Sequence, residues 1–429
     1  MSEGNVVRVG AGVYGGSFLT SEYGVTLPFV VPQETVELSA SVNVLRVIEP
    51  SVERIEPRCP HFGTCGGCQY QMMTGREQLR VKRGILRDQL QGAGVVTPVE
   101  IEAAGGEGYG YRNRIRLRLE RVDGKLCFGY NMRTTTEFLP ITTCPIAAPS
   151  LWATGEKLLA SASTQDDVAF WMNAASEVEL FVNDDLTRLQ VTMLCAPRTK
   201  AKQGSLQRCL TALQQSVAEI VGLSAIASDP RTGPTGRTLD VAGAAGLNYR
   251  VLDETYWISR GGFFQVNRFL LPALVKTVCD GRSGDVAWDL FAGVGLFSRV
   301  LAKSFAQVTA VEANPIAAGD LQVALKKLGA QHRAVQASTL EFLQKALVQR
   351  ERPALVVLDP PRAGAGREAC ELLLSLGTRE IVYVSCDPAT LAQDLAVLQQ
   401  GYRIASLKLV DLFPQTFHME TIVVLERKG

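Results

Sequence analysis

Cys386 is placed where a thiol could act as a nucleophile. The stretch Ile381 to Thr390, IVYVSCDPAT, opens on a short apolar, β-branched and aromatic run that predicts a buried strand. Asp387 is a good N-cap and Pro388 stands at a first helical position, so a helix is predicted to begin directly after the cysteine. Backbone N–H groups and the helix dipole at that end favour thiolate, the reactive form. The plain alternative is a small buried hydrophobe beside a cap.

Two further stretches give the cysteine a setting. DVAWDLFAGVGLFS, Asp285 to Ser298, reads as strand, glycine turn and helix, and Glu312 ends the next strand nineteen residues after Gly293. Glycines let backbone approach a nucleoside cofactor, and an acid at that distance can hold ribose hydroxyls. PALVVLDPPRAG then puts Asp359 at the end of another apolar strand, with Pro360 and Pro361 fixing the loop. Three strand ends point to one crevice, where ligands of open α/β sheets bind. Glu420 opens the final apolar strand, ETIVVLE; in such a crevice its pKa would rise, which suits a general base.

A second kind of chemistry lies upstream. RCPHFGTCGGCQYQ spaces Cys59, Cys65 and Cys68 as C-x5-C-x2-C. In a chain whose start has no secretory pattern, three such cysteines read as ligands of a metal or cluster rather than as a disulfide framework. Zinc would accept His61 or a distant cysteine as fourth ligand, and a 4Fe-4S cluster a fourth cysteine. Cys127 lies in a strand-like run, whereas Cys144 lies in a polar loop, and Cys144 is chosen. YRNRIRLRLE alternates Arg112, Arg114, Arg116 and Arg118 with smaller or apolar residues, so a strand would carry an arginine row on one face. Such a row suits the phosphates of a nucleic acid; the alternative is an internal salt-bridge ladder.

The chain must build elements to hold these groups. With 429 residues and 46% hydrophobic content it can bury a large core in two or three domains. The net charge of +1 gives no global nucleic-acid signature, so any RNA or DNA contact would have to come from local basic clusters. No apolar run is long enough for a membrane span, and a soluble cytoplasmic protein is expected. Residues 1–52 are valine-rich, alternating and glycine-punctuated, which predicts a small antiparallel OB-like barrel. Residues 53–262 are expected to form a central α+β domain, with a helix within 71–102 able to pack on the catalytic domain. That domain, residues 263–429, is read as α/β. Phe263, Phe264, Gln265 and Asn267 precede it; the aromatics suit a core, and the polar pair could face a ligand.

Taken in order, the C-x5-C-x2-C knot, YRNR, FFQVN, DLFAGVG, LDPPRAG, VYVSC-x-P-x-TLA and FP-x-T-x-H-x-E give a chain that resembles the S-adenosylmethionine-dependent RNA uracil-5-methyltransferases along nearly its whole length. The resemblance implies a class I, Rossmann-like methyltransferase domain, an N-terminal TRAM barrel and a central iron-sulphur domain. It implies that Cys386 adds to carbon 6 of uracil and that Glu420 later removes the carbon 5 proton. Gln265, Phe291, Gly293, Glu312 and Asp359 are matched to cofactor or target-base positions, and Cys59, Cys65, Cys68 and Cys144 to ligands of a 4Fe-4S cluster. RNA is the implied partner, ribosomal RNA ahead of transfer RNA, for a protein acting as a monomer.

Two positions depart from the family. Leu296 and Asp387 both stand where it usually has asparagine, and a carboxylate beside the nucleophile should raise the thiol pKa. Rival readings are an amine methyltransferase, disfavoured because Arg362 stands where an aromatic would stack, and an RNA-binding redox sensor.

Overall fold

The computed structural model describes residues 5–21, 24–39, 43–97, 99–200, 202–228 and 236–429. Residues 229–235, most of the Gly, Thr and Pro-rich loop DPRTGPTGRTLD, lie outside them. The chain forms two compact units. One joins Met1–Arg58, Cys68–Gly108 and Pro272–Gly429; the other joins Cys59–Gly67 and Tyr109–Leu271. These units cut across the expected boundaries at 52 and 262, because the N-terminal segment and the helix Gly75–Gly92 fold with the catalytic sheet.

That sheet has eight strands, in the order Arg333–Gln336, Phe305–Glu312, Gly284–Leu290, Leu355–Leu358, Glu380–Ser385, Glu420–Arg427, Tyr402–Val410 and Ile101–Ala104. The first five are parallel. Their apolar runs fit strands covered on both faces, and Leu355–Leu358 is buried throughout. Glu420–Arg427 runs antiparallel to both its neighbours. The order reverses at Gly284–Leu290, where the next strand in sequence lies to one side and Leu355–Leu358 to the other. Such a reversal opens a crevice at the carboxyl ends of the strands.

In the same unit, Thr26–Pro28, Ser17–Thr20, Asn5–Val13, Thr35–Leu38 and Val44–Glu49 form a five-stranded sheet, antiparallel throughout. Alternation buries Val7, Val9, Phe18, Val36 and Leu38. The helix Gly75–Gly92 packs on it closely: a Cβ at Gly12 would come within 2.6 Å of Val81. Thr74 caps that helix by accepting from the Glu77 N–H. Lys82 is buried on its inner face, where its Nζ meets Asp411 Oδ1 at 2.6 Å.

The other unit is a seven-stranded sheet with the helices Pro149–Ala162, Asp166–Ala174 and Ser205–Gln214 packed in its core cluster. Leu189–Cys195 is buried at every position, and Leu117, Leu180, Val191, Leu223 and Trp171 share its core. Gly246–Val251 and Glu254–Ser259 form a separate hairpin. Among the described residues, no helix is long and apolar enough to cross a membrane.

Candidate active site

Strand Glu380–Ser385 ends immediately before Cys386, and helix Pro388–Leu398 starts just after it, as the sequence predicts. Asp387 is the N-cap: its Oδ1 accepts from the N–H groups of Ala389 and Thr390, at 3.0 and 3.1 Å. Ser385 Oγ accepts from the Asp387 N–H at 3.2 Å and donates to its carbonyl at 3.0 Å. The turn that presents the thiol is therefore pinned on both sides.

Pairing between Glu380–Ser385 and Glu420–Arg427 reaches Ser385 opposite Thr421. One residue further along this antiparallel ladder stand Cys386 and Glu420, so the register itself delivers thiol and carboxylate to the same end of the sheet. Glu420 is 1% exposed, and its Oε1 is buried with no hydrogen-bond partner among the described residues. Burial first, and Asp359 second, hold its carboxyl well above the usual range. A buried carboxyl with a raised pKa and one oxygen left without a partner among the described residues is suited to taking a proton.

The same surroundings act on Cys386. Its thiol is pushed up to about 12, by burial first, then by Glu420 and Asp359; Arg362 opposes them and Asp387 adds the least. The sequence expectation of a favoured thiolate is thus reversed by desolvation and three carboxyl groups around the sulfur. Asp387 does raise the thiol pKa, but behind the other causes. Arg362 is the cation on the favourable side, with Nη2 3.3 Å from a ring nitrogen of His418.

The glycine turn is built on left-handed backbone. Phe291, Gly293 and Gly295 all have positive φ, and a Cβ at Gly295 would come within 2.7 Å of Leu321. Glu312 holds the turn through both oxygens, accepting from Gly293 N–H at 2.8 Å and Asn314 N–H at 2.6 Å. A carboxylate has about four acceptor sites, so two remain for hydroxyls. Beside this turn lies a cleft of about 390 Å³ whose walls include Phe291, Ser338, Thr339 and the backbone of Gly364 to Gly366. Leu296 is buried.

Sequence reasoning missed the fastenings. Asp394 Oδ2 accepts from Tyr383 Oη at 2.5 Å and from Ala365 N–H at 2.8 Å, tying down the loop after Asp359. Gln78 donates to Gln415 Oε1 at 3.0 Å and accepts from the Gln415 N–H at 2.8 Å, tying the segment before Glu420. Polar residues within helical patterns carry no local signal of such distant partners.

In the other unit, Cys59, Cys65 and Cys144 come within electrostatic reach in sequence: Cys59 acts on Cys65, and Cys65 on Cys144. Burial raises all three thiols. His61 Nε2 accepts from the Thr142 N–H at 2.9 Å, drawing the Cys144 loop to the knot. Tyr130 Oη donates to Cys144 Sγ at 3.9 Å, and Cys127 Sγ instead donates to the Lys125 carbonyl. Cys68 starts a segment of the catalytic unit. Among the described residues, no three Cys, His, Asp or Glu side chains are grouped to share one metal ion.

The arginine row is partnered within its own sheet. Glu179 lies opposite Arg116 in register and bonds both Arg114, at 3.3 Å, and Arg116, at 2.9 Å. Arg114 also covers the Phe181 ring, and Arg118 pairs with Glu120 and donates to Asn131 Oδ1 at 2.6 Å. Arg112 lies before the strand, in isolated bridges with Ala147 and Asn267. The ladder reading thus describes the contacts seen, with Arg116 the more exposed of Glu179's two partners. Asn113 is wholly buried; its Nδ2 donates to Tyr249 Oη and to the Gln265 carbonyl, setting the FFQVN stretch on which Gln265 stands. Phe263 is exposed.

Residues 237–428 match the model of the tRNA (uracil-5-)-methyltransferase family. An uncharacterized RNA methyltransferase of Streptomyces avermitilis is 32% identical over 90% of this chain and 86% of its own length. The 23S rRNA (uracil(1939)-C(5))-methyltransferase RlmD of a Marinomonas species is 31% identical over 93% of this chain and 89% of its own. In fold, the chain is similar to the tRNA (uracil-54, C5)-methyltransferase of Pyrococcus abyssi solved with S-adenosyl-L-homocysteine, at a TM-score of 0.74 and 22% identity, covering 98% of this chain and 100% of that one.

Proposed function

Since the chain belongs to the S-adenosylmethionine-dependent RNA uracil-C5 methyltransferases, we propose that it methylates carbon 5 of a uridine in 23S ribosomal RNA through a covalent adduct on Cys386. The observation that carries this reading is the ladder that ends with Cys386 beside Glu420, whose buried Oε1 has no partner among the described residues. The ribosomal substrate is supported by relatives named 23S rRNA methyltransferases at 30 to 31% identity; transfer RNA is the second reading.

Carbon 5 of uracil is too weak a nucleophile to be methylated directly. Addition of the Cys386 sulfur to carbon 6 breaks the 5,6 double bond and leaves an enolate whose carbon 5 is nucleophilic. Loss of the thiol proton is opposed by burial and the nearby carboxyl groups and favoured by Arg362. Bound S-adenosylmethionine supplies an electrophilic methyl group. Glu420 then takes the proton from the methylated carbon 5, the double bond re-forms, and the Cys386–carbon 6 bond breaks. The target base has to leave its stack to reach a thiol at this depth.

Glu312, Phe291, Gly293 and Asp359 would hold the cofactor at the glycine turn and strand ends; Gln265 is assigned to the cofactor by the family resemblance alone. The fit rests on the positive-φ turn and on Glu312, which holds that turn through the Gly293 and Asn314 N–H groups. The N-terminal five-stranded sheet is read as the TRAM barrel. Cys59, Cys65, Cys68 and Cys144 are read as ligands of a 4Fe-4S cluster with a structural role in RNA binding. The coupled thiols and the His61 tether support that reading, and a four-iron cube holds its thiolates further apart than one ion does. Arg116, the more exposed of Glu179's two partners, is the row member offered to RNA phosphates. As the family resemblance implies, the enzyme acts as a monomer in the cytoplasm.

The test is incubation with S-adenosylmethionine and 23S rRNA containing 5-fluorouridine. Fluorine at carbon 5 cannot leave as a proton does, so a denaturation-resistant adduct should accumulate with the parent and be absent with Cys386→Ala. An adduct that persists in Cys386→Ala would refute the assignment of the nucleophile.

A further inference from the structure

Tyr14 occupies the turn between the strands Asn5–Val13 and Ser17–Thr20, at one end of the N-terminal sheet. Its hydroxyl donates to Asp387 Oδ2 at 2.6 Å. Its ring meets Phe417 edge-on, with centroids 5.3 Å apart and planes at 85°, and Phe417 lies against His418 at 4.1 Å. The turn is shaped for this approach: Gly15 and Gly16 have φ of 107° and 91°, and a Cβ on Gly16 would crowd Gln69 at 2.8 Å. The contact therefore fits a built arrangement, with a rigid turn carrying one phenol to the carboxylate next to the nucleophile.

Both oxygens of Asp387 are thereby engaged, Oδ1 by the first helical N–H groups and Oδ2 by the phenol. Burial first and Asp387 second raise the Tyr14 pKa, so the phenol keeps its proton and remains a donor. Donation to a carboxylate draws its charge toward the donor and fixes its direction. The groups facing Cys386 are Glu420, Asp359, Arg362 and Asp387; those facing Tyr14 are Asp387, Arg362 and Cys386.

Resting on the reading of Cys386 as the nucleophile, we propose that Tyr14 is a positioning residue for it: by holding Asp387, the N-terminal sheet sets the reactivity of the thiol.

Tyr14→Phe removes the hydroxyl and keeps the ring on Phe417. Cys386 reactivity is read by mass spectrometry of its iodoacetamide adduct across pH, without RNA or methyl transfer, and kcat and KM are measured separately with labelled cofactor. The expected result is that alkylation slows about threefold near neutral pH, with the profile displaced upward, and that kcat falls while KM for RNA holds. In an Asp387→Asn background, which keeps the helix cap but carries no charge, Tyr14→Phe should change alkylation little. An unchanged profile, an equal effect in both backgrounds, or a rise in KM alone would overturn the proposal. A chain that alkylates as expected yet transfers no methyl group to RNA would leave Tyr14 coupled to the thiol and refute the methylation reading instead.

Discussion

Lys82 Nζ lies 2.6 Å from Asp411 Oδ1 and 3.0 Å from the Phe413 carbonyl, and the two side chains are almost wholly withdrawn from water. The pair joins the helix Gly75–Gly92 to the segment that leads into Glu420. Burial lowers the Lys82 pKa and the Asp411 charge opposes that. Lys82→Met would leave a buried carboxylate alone, at a cost of ~3–5 kcal/mol. Adding Asp411→Leu should restore most of that loss. Urea midpoints of the parent, single and double variants check this; equal midpoints for single and double would show that the two groups are not coupled.

Glu420→Gln should do two opposite things. It removes the largest electrostatic burden on Cys386, so the thiol pKa falls and alkylation begins at lower pH. It also removes the base, so adduct on ordinary uridine RNA should form and persist. Alkylation profiles and gel-resistant adduct report the two effects separately.

Asp387→Asn should also lower the thiol pKa, but by less than Glu420→Gln, because Asp387 stands last among the causes at Cys386. The order of the two alkylation midpoints is the measurement. A larger shift from Asp387→Asn would reverse the ranking of the carboxyl groups.

Asp289 offers a test in stability. Its carboxyl is wholly buried and pushed up to about 7 by burial, with Ser298 donating to it. Between the unfolded pKa and that value the native state binds more protons than the unfolded chain. The contribution of Asp289 to stability therefore falls as pH rises from about 4 toward 7. Asp289→Asn keeps a partner for Ser298 and removes the titration, so the melting temperatures of variant and parent should diverge over that window, the parent losing ground. Parallel curves would place the titration elsewhere.

Cys144→Ser should abolish iron and sulfide retention on anaerobic purification, and Cys127→Ser should leave both in place, since the Cys127 thiol turns to Lys125. Iron and sulfide assays decide it; retention in Cys144→Ser would remove this residue from the ligand set.

The catalytic elements were legible in the sequence because each is local. The apolar run before Cys386, the Asp387 cap and the spacing of Gly293 to Glu312 specify strand, turn and helix within a few residues. The state of the thiol was not legible. It depends on Asp359 and Glu420, which only the strand order brings to Cys386, and desolvation there outweighs a local helix end. The arginine row shows the same limit: alternation predicted its face, but Glu179, the residue that answers it, stands on a strand formed about 65 positions later. Lys82, inside a helix rich in exposed basic residues, gave no sign that it alone turns inward.

Glu420 is paired with Val410 on one side, and on the other its neighbour Thr421 is paired with Ser385. A strand held on both edges changes register only in whole residues, and a single step would turn the carboxylate to the opposite face. The segment between Val410 and Glu420 is fastened too, at Asp411 and Phe413 by Lys82 and at Gln415 by Gln78. Across descendants of this chain, insertions should therefore gather beyond the sheet, and be purged from the strand and from residues 411–419 alike. The spacing of thiol and base is thus inherited as a unit.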